Sequence, residues 1–294
     1  MTLDRNELIL HPTKDGSFTF FSSEFNEAFH SNYGAKQESY QKFVIPTQVQ
    51  QVAKQGQVRI LDVCYGLGYN TAAALEVIWQ KNPHCLVEVI GLEINPEVPK
   101  AAVNQDIFNG WNDEYIKILT ALAFKHNYQS DRLQAKLLIG DARKTIQKVR
   151  ESGFLADAIF LDPFSHPQCP QLWTIEFIQN LILCLHENGL LATYSCAASV
   201  RTALVNAGLV IGSTTPVGRR TPGTIAAYPK HREKEIIDTY PLSPAEIEHL
   251  QTRAAVPYRD PQLSDTAEII VMRRQKEQQA SALEITSQWK KRWN

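Results

Sequence analysis

Four acidic residues stand where a strand should give way to a loop: Asp62, Glu93, Asp141 and Asp162. The first precedes a glycine turn in the stretch VRILDVCYGLGYN, Val58 to Asn70. Val58, Ile60, Leu61 and Val63 read as a buried strand. Gly66 and Gly68 frame a turn, and Thr71-Ala-Ala-Ala-Leu opens a helical run. A strand, a glycine turn and a helix put free backbone N–H groups and a positive helix end over the sheet edge, a nucleotide-binding geometry. The G-x-G-x-x-G fingerprint is incomplete, because Thr71 stands at the third glycine position. A carboxylate beside the turn repels pyrophosphate and attracts an amino or sulfonium cation. S-adenosylmethionine (SAM) carries both cations, so the stretch points to SAM. A plain strand-to-helix turn is the other reading.

In open α/β sheets, ligands bind beyond the carboxyl ends of the strands. Glu93 closes VEVIGLEIN about 25 residues after Gly68 and can accept both hydroxyls of a ribose. Asp141, in Gly140-Asp141-Ala142, can accept from the adenine amino group or can cap the next helix. Asp162 closes AIFLDPF and leads into a loop stiffened by Pro163, Pro167 and Pro170. Asp162-Pro163-Phe164 resembles the D-P-P-Y type motif of amino-group methyltransferases. There the acid and adjacent carbonyls receive an amine and a ring stacks on its base. On that resemblance Asp162 and Phe164 are the catalytic candidates and Pro163 contacts substrate; a merely rigid loop is the bland alternative. His166 is not assigned as a base. His30 and Glu38 could face a ligand, or sit on a solvated helix face.

Alternating strands and helices must position these residues. Strands are expected at Arg59–Val63, Leu86–Leu92, Ala135–Ile139, Ala158–Leu161, Leu190–Tyr194, Gly208–Ser213 and Thr224–Ala227, with helices such as Thr71–Gln80 and Thr174–His186 between them. The short loop from Thr215 to Gly223 leaves no room for a helix, so the last two strands form an antiparallel edge hairpin. The fold class is therefore α/β: a Rossmann-like, seven-stranded sheet of the class I SAM-dependent methyltransferase type. Residues 1–56 form an N-terminal extension with a hairpin around Lys14-Asp15-Gly16, covering the cleft. Residues 57–229 form the SAM domain, and 230–294 a helical C-terminal extension. Asn109 to Asp131 reads as helix over the sheet, anchored by Trp111 and Tyr115 and helping to shape the cleft. Ser264 to Asn294 reads as one long polar helix.

Composition narrows the class. The net charge of −1 excludes a globally basic nucleic-acid binder, so any polyanion must meet a local patch. Arg201, Arg219, Arg220, Lys230, His231 and Arg232 are candidates for one. The terminal QWKKRWN could stack on bases and grip phosphate, or pack its tryptophans on the body. Five scattered cysteines make no C-x-x-C pair, so no metal is expected and reduced thiols fit a cytoplasmic protein. No apolar run reaches the ~18 residues of a membrane span, and the first residues have no signal-peptide layout.

The segments LDVCYGLGYN, FLDPFSHPQCPQLWT, GLLATYSCAASVRTALVNAGL and VGRRTPGT resemble the methyltransferase part of the MnmC-type tRNA modification enzymes. The resemblance runs from about Phe18 to Tyr228, and Asp162, Pro170 and Trp173 carry its most specific part. Against the family pattern E-T-G-F-G-T-G-L-N, this chain has Asp62 for Glu, Tyr65 for Phe, Leu67 for Thr and Tyr69 for Leu. Gly66, Gly68 and Asn70 match. Where the family has D-G-F, Pro163 replaces glycine and removes a backbone donor. The resemblance implies methyl transfer from SAM to the aminomethyl group on carbon 5 of the tRNA wobble uridine, in the anticodon region. Asp62, Tyr65, Gly66, Gly68, Asn70, Glu93, Asp141 and Asp162 would meet the cofactor; Glu38, Pro163, Arg219 and Arg220 would meet the tRNA. The chain shows no second glycine fingerprint for an FAD oxidase domain, so a separate enzyme would supply the amine. Asp162 reads as a group that orients the amine and passes its proton through water.

Three rivals are weighed against this. A polyamine aminopropyltransferase, or another N-methyltransferase, shares the turn and the acidic strand ends, but a polycation would not favour the Arg219-Arg220 hairpin. A non-catalytic RNA binder has no use for an acidic pocket. A NAD-dependent dehydrogenase would keep the third glycine.

Overall fold

The computed structural model describes residues 8–217 and 221–293. Strand β1 (Leu8–Pro12) pairs antiparallel with β2 (Phe18–Ser22), and β3 (Glu27–Ala28) adds to β2. The Asp15 carboxylate builds the first turn by accepting from the Ser17 N–H at 3.0 Å and the Thr13 hydroxyl at 2.8 Å. It also accepts from the Gln37 N–H at 3.0 Å, which docks the hairpin onto the short helix α1 (Ala35–Glu38). The chain continues through a π-helical turn, Ser39–Val44, into α2 (Val49–Val52).

From there strand and helix alternate: β4 (Gln57–Val63), α3 (Tyr69–Lys81), β5 (Leu86–Glu93), α4 (Glu97–Asn104), α5 (Asp113–Lys125), β6 (Asn127–Gln129) and β7 (Leu133–Ile139). Then come α6 (Ala142–Glu151), β8 (Ala156–Leu161), α7 (Ile175–Ile182), β9 (Leu185–Thr193), α8 (Ala198–Asn206), β10 (Val210–Ser213) and β11 (Thr224–Ala227). The C-terminal extension holds α9 (Pro229–Thr239), α10 (Pro244–His249), α11 (Ala267–Ala280) and α12 (Thr286–Trp293).

The sheet order is β10-β11-β9-β8-β4-β5-β7-β6. Strands β7, β5, β4, β8 and β9 run parallel, and β11 and β10 close that side as an antiparallel hairpin. Chain order runs outward from β4 to β7 on one side and from β8 to β9 on the other. The topological switch therefore falls beside β4, where open α/β sheets bind ligands. Alternate residues of β4 feed two cores: Val58 and Ile60 on one face, Leu61 and Val63 on the other, all fully buried.

Three details depart from the sequence-based expectation. The sheet has eight strands, not seven, because His126 turns into the left-handed region (φ 58°) and sends β6 back along β7. Three residues are too few to carry an alternation signal. Residues 109–131 do not shape the cleft. Instead Tyr115 stacks on Trp79, ring centroids 5.9 Å apart, and the buried Trp111 joins the core beside α3. The C-terminal helix is broken between Ala280 and Thr286. Glu284 pairs there with Thr252 and accepts from the Arg253 N–H at 2.8 Å, which takes these residues out of helix.

Candidate active site

A cavity of about 620 Å³ opens at the carboxyl ends of β4, β5, β7 and β8. Its floor is the glycine turn with Glu93, Asp141 and Asp162. Its roof is the N-terminal extension, through Phe25, Glu27, Phe29, His30, Glu38 and Lys42. Glu27 fixes this roof to the proline-rich loop, because its carboxylate accepts from the Ser165 N–H at 2.9 Å and from the Ser165 hydroxyl. Phe25 stacks on Phe164 at 4.4 Å, and Phe29 meets the same ring edge-on at 4.9 Å.

Gly68 ends the turn at φ +90°, and a Cβ there would lie 2.7 Å from the Tyr65 hydroxyl oxygen. Gly91 in β5 leaves room for the Tyr65 ring, which a Cβ would meet at 3.0 Å. The turn is thus held down by a buried aromatic, and Gly66 is left facing the cavity.

Glu93 is buried, and burial pushes its carboxyl up. One oxygen accepts from the Gly66 N–H at 2.9 Å, the other from the Asn95 N–H at 2.8 Å. The carboxylate also lines the cavity, where it can accept from a hydroxyl group. Asp141 caps α6 by accepting from the Arg143 N–H at 2.9 Å, and the Arg143 guanidinium holds the same carboxylate at 2.7 Å. Burial alone would raise the Asp141 pKa, but these Arg143 contacts outweigh it and hold the group below its usual range. Asp141 is thus the helix cap, and it also lines the cavity.

Asp162 is the group least at ease. Burial pushes its carboxyl well above the usual range, and Asp62 and Glu38 add to the rise, against the Asn70 hydrogen bond and Lys42. The Asn70 amide donates to Asp162 Oδ2 at 2.9 Å, while Asn70 Oδ1 is buried with no partner. An acid ready to hold a proton and an orphaned acceptor beside it together fit a ligand that brings N–H groups. The loop around them is tied down. Tyr194 donates to the Pro163 carbonyl at 2.9 Å, and the Trp173 indole donates to the Phe164 carbonyl at 2.9 Å. His166 points away from this centre and meets the Tyr258 hydroxyl at 2.9 Å.

The placement of Asp62 corrects the sequence reading. It is fully buried beneath the turn and does not line the cavity. Its side chain faces α3, where Thr71 donates to Oδ2 at 2.7 Å, and burial pushes its pKa up to about 7. The ionised form therefore strains the fold above pH 7, and the strain vanishes below the unfolded pKa of about 3.9. Asp62→Asn is expected to stabilise the protein by roughly 1–3 kcal/mol at pH 8, with the gain fading toward pH 4. Urea midpoints of both proteins at the two pH values check this; a gain independent of pH contradicts it.

Other candidates are likewise used within the fold. Arg201 is 2% exposed and pairs with Glu246 at 2.8 Å, so it is no phosphate contact. Arg232 pairs with Glu235 at 2.7 Å, and His231 lies 3.4 Å from Glu187. Arg219 and Arg220 lie outside the described residues. Trp289 stacks on His249 at 4.1 Å and donates to the Ala245 carbonyl, so the tail packs on α10. Sequence reasoning missed Lys42, although its spacing of four from Glu38 is that of a helical ion pair. It also missed Tyr194, Glu27 and Arg143. The last is held at 2.8 Å by Asp260 of the C-terminal extension, a carboxylate with no exposed surface.

Comparison with known proteins identifies the family. Residues 104–229 match a family model described as S-adenosyl-L-methionine-dependent methyltransferase. An uncharacterized protein of Methanocaldococcus jannaschii is 31% identical over 275 residues, 91% of this chain and 71% of that protein. The crystal structure of MNMC2 from Aquifex aeolicus superposes with a TM-score of 0.80 at 32% identity, covering 95% of this chain and 87% of that one. The tRNA 5-methylaminomethyl-2-thiouridine biosynthesis bifunctional protein MnmC of Acidovorax sp. is 24% identical over 221 residues. The chain belongs to the MnmC-like SAM-dependent methyltransferases. It spans about a third of the length of the bifunctional MnmC relatives it matches. The cofactor is SAM, and the residues of this methyltransferase fit it: a buried carboxylate at Glu93 that can accept from ribose hydroxyls, and a glycine turn that leaves the cavity floor at Gly66 without a side chain. Among the described residues, no helix is long and apolar enough to cross a membrane.

Proposed function

We propose that this methyltransferase adds the SAM methyl group to the amine of a 5-aminomethyl(-2-thio)uridine at the tRNA wobble position, giving the methylaminomethyl form. The MnmC relatives, tRNA 5-methylaminomethyl-2-thiouridine biosynthesis proteins, support the substrate class. The observation that carries the chemistry is Asp162 beside the free Asn70 oxygen at the cavity floor.

An alkylamine is protonated at neutral pH and must lose that proton before its nitrogen can attack. Asp162 orients the amine and takes its proton through water, and burial makes its carboxylate a better acceptor than an ordinary one. Asn70 accepts a second N–H and turns the nitrogen lone pair toward the methyl group. SAM supplies an electrophilic methyl on a sulfonium. The phenyl rings of Phe164, Phe25 and Phe29 form an apolar wall that keeps water from the nucleophile. Alignment of the two reactants, not covalent catalysis, provides the rate. A tRNA substrate goes with a cytoplasmic location, and a separate enzyme supplies the aminomethyl group.

The test is transfer of labelled methyl from SAM to bulk tRNA carrying unmethylated aminomethyluridine, with spermidine as the competing acceptor. Label recovered in the wobble nucleoside is the expected result. Label on spermidine alone would replace the reading with that of a small-amine methyltransferase.

A further inference from the structure

Lys42 sits in the π-helical turn of the N-terminal extension and is 5% exposed, yet it lines the cavity. Its Nζ donates to Glu38 Oε1 at 3.2 Å. Glu38 also accepts from the Ser31 hydroxyl at 2.5 Å and the Ser31 N–H at 3.1 Å. Burial alone would raise the Glu38 pKa, but Lys42 and Ser31 outweigh it and keep the group ionised. The two residues thus form a neutral pair inside the roof.

An ammonium has three N–H donors. Among the described residues Lys42 hydrogen-bonds only to Glu38, so two donors remain. Donors shut away from water without acceptors are costly, and the space they can reach is the cavity. Asp162 lines the same cavity. Tyr194 links the two sides, with its ring centroid 6.0 Å from Nζ and its hydroxyl donating to the carbonyl of Pro163, the residue after Asp162.

We propose that Lys42 reads the base that carries the amine, by donating to the carbonyl oxygen at carbon 4 of the pyrimidine. This rests on the substrate proposed above. In a 5-aminomethylpyrimidine that oxygen is on the carbon next to the one bearing the aminomethyl arm. A nitrogen held at Asp162 therefore brings it within one side chain's reach. A neutral carbonyl suits the neutral Lys42–Glu38 pair. A phosphate or carboxylate would bring a further negative charge among Glu38, Glu93 and Asp162. Cytosine presents an amino group at carbon 4, which sets donor against donor.

Full-length enzyme with SAM is offered two anticodon stem-loops, one with 5-aminomethyluridine and one with 5-aminomethylcytidine at the wobble position. The wild type is expected to prefer the uridine by about tenfold or more in kcat/KM. Lys42→Met should lower kcat/KM on the uridine by about 10- to 100-fold, abolish the preference and leave SAM affinity, measured by calorimetry, unchanged. Equal use of both stem-loops by the wild type overturns the proposal, and needs no variant that folds. A matching loss of SAM affinity in Lys42→Met overturns it too, by assigning the ammonium to the cofactor's carboxylate. If the wild type methylates neither stem-loop, the substrate reading itself fails and this inference falls with it.

Discussion

Asp162→Asn is expected to bind SAM as the wild type does and to transfer methyl about 10²- to 10⁴-fold more slowly, the usual worth of a positioned base. The replacement is nearly isosteric. The Asn70 amide that donates to Asp162 Oδ2 at 2.9 Å can donate equally to an amide oxygen, so the floor of the cavity keeps its shape. What disappears is the proton acceptor. The loss should therefore fall mainly on kcat, with a smaller rise in KM for the acceptor, because only the amine end of the substrate is held at Asp162. The pH profile gives a second readout. With Asp162 absent, the amine must reach the site already neutral, so the variant's rate should keep climbing with pH beyond the point where the wild type levels off. Single-turnover methyl transfer across pH measures both features. A variant within twofold of the wild type would remove Asp162 from the reaction.

A second large effect is expected far from the chemistry. Arg201→Met should destabilise the fold by about 3–5 kcal/mol, the cost of removing one partner of a buried pair. The Arg201 guanidinium reaches Glu246 at 2.8 Å, the Thr224 hydroxyl at 3.0 Å, and the Ser213 hydroxyl and Gly223 carbonyl at 3.3 Å each. It therefore fastens α10 to both strands of the edge hairpin. Burial alone would raise the Glu246 pKa, but hydrogen bonds from Ser243, Ser213 and Arg201 hold it down to about 2. Its contribution to stability is present above the unfolded pKa of about 4.3 and is lost as pH falls toward 2. The gap between variant and wild type should be widest near neutrality and should narrow below pH 4.3. Urea unfolding with an unchanged m-value checks the size, and repeating it at pH 3.5 checks the cause.

Arg201 also marks where sequence ceases to speak. An arginine near the start of a helix, with other cations to follow, has the pattern of a surface patch. Only the fold shows that a glutamate 45 residues later reaches it. The strands were legible for the opposite reason, since β4, β5 and β8 are apolar on both faces and that pattern needs no partner to be seen. Strand-end carboxylates were legible as a set, because topology puts every parallel strand end at one edge. Their individual roles were not. Asp62 and Glu93 are both carboxylates at the ends of neighbouring strands, yet one faces α3 and the other faces the cavity. Lys42 had a spacing signal, but nothing local said that its helix turn would be folded over a cavity whose floor lies about 20 to 150 positions further along the chain.

The C-terminal extension touches the site at two places. Asp260 grips Arg143, which grips the cap of α6, and Tyr258 meets His166 in the proline-rich loop. Arg274 braces this from α11, its guanidinium 4.5 Å from the Tyr258 ring centroid. The order of synthesis makes this contact matter. As the chain leaves the ribosome, the sheet and the whole cavity floor emerge before any of these clamps exist. The loop bearing Asp162 and the cap bearing Asp141 therefore reach their final rigidity only after residue 274 is free. A nascent chain stalled before that point holds the parallel strands and the glycine turn, yet still lacks the buttress of both acidic loops.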